Sequence, residues 1–264
     1  LGIPHGAIDH VLYLQRSRLS TARFIVYYLI LTGLNVALWL SWPIFSYVLF
    51  LSISAYHFGQ SQFSHYFENR YRTDGILYMS WGTALLSALI LFNRPELLEM
   101  SRSIADISGF ALVNESVWML GICFASAGMT LALLIQAVLQ KRLRLEQLLM
   151  ELLITGLLLM SFKLFSFLIG FSLYFLTLHA WKVMQEEFRF LHRARQVGSV
   201  AQFIRLLAPL SILSILGVGL IYGLIALDLL AISYPLSFMI VISSITLPHA
   251  LVMERFYAMN KGKA

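Results

Sequence analysis

Four of the seven histidines sit where an imidazole is either costly or useful: His5, His57, His179 and His249. Each lies within or beside a long apolar run. An ionisable side chain is expensive there and marks a functional site by default. Neutral imidazole is also the commonest side-chain ligand for zinc, copper and iron. Pro4-His5-Gly6 and Pro248-His249 both set proline directly before histidine. Pro248 has no N–H to donate, so the carbonyl of Ser244 is released and a bend is expected that aims the next side chain inward. Gly6 and Gly59 permit close helix approach. Asp9 follows His5 by one helical turn, so on a helix the two share a face. A carboxylate there can hold an imidazole in one tautomer from behind a metal. His10, His65 and His192 fall at loop edges and are weaker ligand candidates. Glu186, Glu187 and Glu254 read as solvated charges at a membrane face, or alternatively as carboxylates that support a ligand from behind.

The elements that must carry these side chains are long and apolar. A helix needs about 20 apolar residues to cross the ~30 Å hydrocarbon core of a bilayer. Eight stretches are expected to be spans: 24–40, 44–59, 76–92, 117–140, 146–161, 165–183, 203–227 and 235–258. Ser41-Trp42-Pro43 breaks the first two into a helical hairpin, and Lys163 divides the apolar stretch from 146 to 183. The fold class is therefore all-α: a polytopic transmembrane helical bundle of about eight spans, one domain over 1–264. The opening Leu1-Gly2-Ile3-Pro4-His5 reads like a helix already under way, so a further N-terminal helix is expected upstream.

Charge orients the bundle. With residues 1–23 in the cytoplasm, sixteen of the nineteen basic residues fall in inner loops or at inner helix ends. The outer loop 93–116 carries Glu96, Glu99, Asp106 and Glu115 instead. The positive-inside rule expects this asymmetry. At a rise of about 1.5 Å per residue, His5, His57, His179 and His249 then all lie in or near the inner half of the membrane. Four imidazoles are expected to meet there at one depth.

Composition excludes other classes. The chain is 59% hydrophobic and only 12% charged, where a soluble domain has about 25% charged residues. The net charge of +6 sits in short loops, which points to lipid headgroups rather than nucleic acid. A single cysteine, Cys123, excludes a disulfide framework and a thiolate metal site. There is no phosphate-binding glycine loop, no G-x-S-x-G and no H-E-x-x-H. The aromatic stripe Phe162, Phe165, Phe167, Phe171, Tyr174 and Phe175 suits lipid contact or packing. It also suits the wall of a tunnel for a long apolar ligand.

Leu1-Gly2-Ile3-Pro4-His5-Gly6-Ala7-Ile8-Asp9-His10 resembles the opening motif of the Brp/Blh family of β-carotene 15,15'-dioxygenases. Ala55-Tyr56-His57-Phe58-Gly59-Gln60 resembles its second histidine motif, and Tyr174-Phe175-Leu176-Thr177-Leu178-His179 its third. Thr246-Leu247-Pro248-His249 resembles a C-terminal Pro-His element of some members. The likeness runs in order along essentially the whole chain. It implies a membrane enzyme that uses non-haem Fe(2+) and O2 to split the central double bond of β-carotene into two all-trans retinal molecules. Retinal then supplies microbial rhodopsins. The implied iron ligands are His5, His57 and His179, with no catalytic residue beyond the ligands. The family pattern has a further histidine four residues after the third, where this chain has Val183. Either His249 is the fourth ligand or the site has three histidines. The implied setting is a cell (inner) membrane, with lipid around the chain and the histidines toward the cytoplasm. Two other readings remain at this level: a non-catalytic carotenoid- or retinal-binding membrane protein, and a haem-binding membrane redox protein with axial histidines.

Overall fold

The computed structural model describes residues 4–14, 20–67 and 71–260, and of these the side chains of His5, Met259 and Asn260 are not described. The described residues form helices and turns, with no strand among them. A 3-10 turn at Pro4–Gly6 leads into α1 (Asp9–Leu14), α2 (Thr21–Ser41), α3 (Pro43–Phe63) and α4 (Arg72–Phe92). Then come α5 (Arg94–Ser103), α6 (Phe110–Asn114), α7 (Trp118–Leu139) and α8 (Leu145–Leu164). Next are α9 (Phe167–Leu173), a π-helical segment (Tyr174–Ala180), α10 (Trp181–Arg193), α11 (Val200–Ala226) and α12 (Tyr234–Asn260). The chain is a polytopic helical bundle. Among the described residues, seven helical stretches are long and apolar enough to cross a membrane.

The breaks fall where backbone chemistry requires them. α2 ends at Ser41 and Pro43 opens α3, the helix position at which a missing N–H costs nothing. The split near Lys163 comes at Phe165, whose extended backbone ends α8 before Ser166 starts α9.

Three expectations change. The helix over the second expected span, Pro43–Phe63, is not among the seven apolar candidates. Ser52, Ser54, His57, Gln60, Ser61 and Gln62 lower its hydropathy, yet most of that half is buried inside the protein. Its 21 residues still cover about 31 Å at the usual helical rise. A helix wrapped by protein need not be apolar. The sixth span does not stop at 183 but runs from Phe167 to Arg193. The outer loop 93–116 is largely helical, with Arg102 and Glu115 paired at 2.9 Å on its surface.

By its contacts the chain divides into two compact units: unit 1 is Leu1–Trp42 with Phe175–Phe256, and unit 2 is Pro43–Tyr174 with Tyr257–Ala264. Within unit 1, α2 grips α12 through a polar ladder. Asn35 Nδ2 donates to the hydroxyls of Ser243 and Ser244 at 2.9 and 3.0 Å, and the Trp39 indole N–H donates to Ser243 at 2.7 Å. The Thr32 hydroxyl donates to the Ser244 carbonyl at 3.4 Å. That carbonyl is the one Pro248 releases, so the proline's lost bond is replaced from the neighbouring helix. In an apolar surround such a bond contributes roughly 0.6 to 2 kcal/mol.

Within unit 2, α3 and α4 meet backbone to backbone. A Cβ added to Gly59 would run into the Tyr78 carbonyl, and one added to Gly82 into the Ala55 carbonyl. The two glycines are thus reciprocal and fix the helix pair. Glu151 of α8 is buried and accepts from Gln62 Nε2 at 2.6 Å and the Tyr66 hydroxyl at 2.7 Å. Arg142 caps the α7–α8 end, paired with Asp74 at 2.6 Å and lying over the ring of Tyr71 at 3.9 Å.

Candidate metal centre

Unit 1 draws its centre from both ends of the chain. The Ala7 N–H closes the 3-10 turn on the Pro4 carbonyl at 3.0 Å, which sets Asp9 at the start of α1. Asp9 is 2% exposed. Its Oδ1 lies 2.8 Å from His249 Nδ1, and its Oδ2 accepts from the Tyr28 hydroxyl at 3.5 Å. A carboxylate only accepts, so Nδ1 of His249 bears a proton, and in the neutral ring the lone pair is then on Nε2. This is the arrangement in which a carboxylate orients a metal-binding imidazole.

The turn that bears His5 presses on this pair. A Cβ at Gly6 would stand 3.5 Å from Ile245 Cγ2, 3.6 Å from Asp9 Oδ2 and 3.7 Å from His249 Nδ1. Glycine therefore lets the backbone next to His5 approach Asp9 and His249 directly. The His5 side chain lies outside the described ones.

His179 is buried in the π-helical segment, its ring stacked on Phe175 with centroids 5.3 Å apart. A π turn inserts one extra residue and re-aims the side chains that follow, and such turns recur at functional sites. His179 and His249 lie within electrostatic reach of each other. In unit 2, His57 is 1% exposed. It sits midway between Ala55 and Gly59, so about 200° of helical rotation turns it away from the α3–α4 contact. Among the described residues, no three His, Cys, Asp or Glu side chains stand together closely enough to hold a metal ion.

The spacing from His5 to Asp9 suggested that Asp9 supports His5. Among the described side chains, the imidazole that Asp9 meets is that of His249, 240 residues away in sequence. The weaker histidines take other settings. His192 Nδ1 donates to the Val197 carbonyl at 2.9 Å and fastens the loop between α10 and α11. His65 is exposed. Burial pulls the pKa of His10 down, against the neighbouring Asp9 and the Ala7 backbone.

Sequence reasoning put Glu187 first among the solvated charges. It is 0% exposed, and among the described residues neither carboxylate oxygen has a hydrogen-bond partner. The signal was present: Val183, Glu187 and Leu191 recur every fourth residue as the buried stripe of α10.

An apolar groove of about 540 Å³ lies in unit 1, walled by α10 and α11. Trp181, Met184 and Phe188 form one side and Phe203, Ile204 and Leu207 the other, with Pro4 at its edge. Only Gln185 and Ser211 add polar side chains to its lining. The groove thus borders the residue directly before His5. A second apolar cavity, about 620 Å³, lies in unit 2 among α4, α7 and α8, with Glu151 in its wall.

A model of the β-carotene 15,15'-dioxygenase family matches residues 1–257. No curated protein and no solved structure matches the chain. That match takes in the Pro4-His5-Gly6 turn, the buried Asp9–His249 pair and the histidines of both units, and the chain belongs to the β-carotene 15,15'-dioxygenase family.

Proposed function

We propose that the protein cleaves β-carotene at its central double bond with O2, giving two molecules of all-trans retinal, and that it does so on ferrous iron. The carrying observation is the buried Asp9–His249 pair at 2.8 Å beneath the turn that bears His5. The donor chemistry fits the metal. His249 is held in the tautomer whose Nε2 donates, and neutral imidazole with an acceptor behind it is a standard Fe(II) ligand. His5, His179 and His249 are the proposed ligands from unit 1, and the family resemblance adds His57. Iron supplies the O2 chemistry when bound.

The chain's own residues do the rest. Asp9 orients His249. The groove of unit 1 takes up hydrocarbon and excludes water, and its edge at Pro4 brings an apolar chain to the residue beside His5. β-Carotene has no polar handle, so shape along such a groove selects the bond that is cut. The substrate partitions into lipid, and an enzyme spanning that lipid meets it directly. We place the protein in a cell (inner) membrane with the histidines toward the cytoplasm, its retinal passing to a rhodopsin.

Expression in bacteria that accumulate β-carotene tests the reading. The cells are expected to bleach and accumulate retinal, and His57→Ala is expected to keep them orange. Unchanged orange cells with the wild-type protein present in the membrane would overturn the assignment.

The groove has its own test. Ala208→Trp fills it from the α11 side. Turnover of dilute β-carotene is expected to fall at least tenfold, about 1.4 kcal/mol or more of transition-state binding, with bound iron unchanged. Full turnover in that variant would remove the groove from the substrate's path.

A further inference from the structure

The cavity among α4, α7 and α8 of unit 2 is lined mainly by apolar side chains, yet a buried acid stands in its wall. It follows α7 from Leu120 to Leu134, about 21 Å at the usual helical rise. The exposed Leu120 and Phe124 leave it open at the side. Glu151 is the wall residue of α8 nearest the α7–α8 turn, so the acid marks one end. Its oxygens accept from Gln62 Nε2 at 2.6 Å and from the Tyr66 hydroxyl at 2.7 Å. Two donors hold the carboxylate as an acceptor and take up about half of its roughly four lone-pair sites. Thr155 lies one turn further along the same face of α8, with a hydroxyl that can donate or accept. Thr130, a second hydroxyl of the wall, already donates to Ser80 at 3.0 Å. A long apolar slot with a carboxylate and a hydroxyl at one end matches a ligand of the same pattern.

We propose that this cavity binds a long-chain alcohol: the hydrocarbon fills the slot, and the terminal hydroxyl donates to Glu151 and accepts from Thr155. The wall chemistry selects the head group. An ester, ether or aldehyde end only accepts, and would set its lone pairs against the carboxylate. An ammonium end would have to shed its water inside an apolar slot. A hydroxyl is neutral, and it donates and accepts at once. A phospholipid chain ending in an ester is therefore a poor occupant, and β-carotene has no donor to offer. The chain enters sideways past Leu120 and Phe124. The site shares no residue with the groove of unit 1 and does not depend on iron.

The test uses the full chain in phosphatidylcholine vesicles and a saturated long-chain alcohol with a diazirine at mid-chain. Its methyl ether is the control, because it keeps the chain and loses the donor. After irradiation, labelled residues are read by mass spectrometry. The alcohol is expected to label the cavity walls of α4, α7 and α8 about tenfold more than the ether, the effect of one hydrogen bond to a charged acceptor. Ala127→Trp fills the cavity from an exposed position on α7 and is expected to lose that labelling at an unchanged melting temperature. Glu151→Leu is expected to bring the alcohol down to the level of the ether. If Glu151→Leu does not fold, the alcohol–ether ratio of the wild type and Ala127→Trp decide by themselves. Equal labelling by alcohol and ether in the wild type overturns the proposal, since the cavity then takes any lipid chain. Absence of label from the cavity walls, or unchanged label there in Ala127→Trp, overturns it as well.

Discussion

Asp9→Ala is expected to stop retinal formation at ordinary iron supply and to lower the protein's affinity for Fe(II) by about 10- to 100-fold, the usual effect of losing the group that orients a metal-binding histidine. Two bonds go with the carboxylate, one from His249 Nδ1 and one from the Tyr28 hydroxyl. His249 then loses the acceptor that fixes its proton on Nδ1, and its ring is no longer held in the donor tautomer. The cavity also leaves two polar groups in the interior, each costing roughly 1 to 3 kcal/mol. A lower melting temperature is therefore expected as well, so stability alone decides nothing. Asp9→Asn separates the effects. Its side-chain oxygen still accepts from Nδ1, so most stability should return, while the lost charge leaves iron affinity reduced. Excess iron is expected to restore part of the activity in Asp9→Asn. If Asp9→Ala held wild-type iron and made wild-type retinal, the Asp9–His249 pair would have no part in the metal centre.

Much of the frame was legible because it is written in local chemistry. Pro43 forced the hairpin, and Pro248 freed one particular carbonyl. Gly59 marked a backbone contact, which the Tyr78 carbonyl supplies. What stayed hidden depends on neighbours distant in sequence. The partner of the Ser244 carbonyl, Thr32, lies 212 residues away, and the Asp9–His249 contact spans 240. No periodicity in either segment points to the other. Hydropathy undervalued α3 for a related reason: it scores a helix as though lipid surrounds it, but Ser54, His57, Gln60 and Gln62 are buried in protein.

The acids show the same limit at shorter range. Glu186 and Glu187 are adjacent and chemically alike, yet one is partly exposed and the other fully buried. Only the phase of α10 separates them, and the π-helical segment shifts that phase just before the helix begins. A reading that carries an ideal helix through Tyr174–Ala180 misplaces every side chain after it by about 100°. His179 lies inside that segment, so its family motif could be recognised while its direction could not.

Gly82→Ala is expected to cost the protein its fold or much of its thermal stability, although the change adds one methyl group. The added Cβ would fall on the Ala55 carbonyl of α3. Overpacking against side chains costs about 1 to 3 kcal/mol. A carbonyl cannot rotate aside as a side chain does, so the helices must separate and the cost lies at or above the top of that range. Leu77, Tyr78, Trp81 and Leu85 lose their packing when α4 moves, and they are core residues of unit 2. Gly59→Ala should behave alike from the other helix, meeting the Tyr78 carbonyl. Gly156 of α8 supplies the control: a Cβ there meets nothing within 4 Å, so Gly156→Ala should be neutral or gain up to about 1 kcal/mol from helix propensity. Melting curves of the three variants in one detergent decide the matter. Equal melting of Gly82→Ala and Gly156→Ala would mean that α3 and α4 do not touch through their backbones, and the placement of His57 on α3 would lose its support.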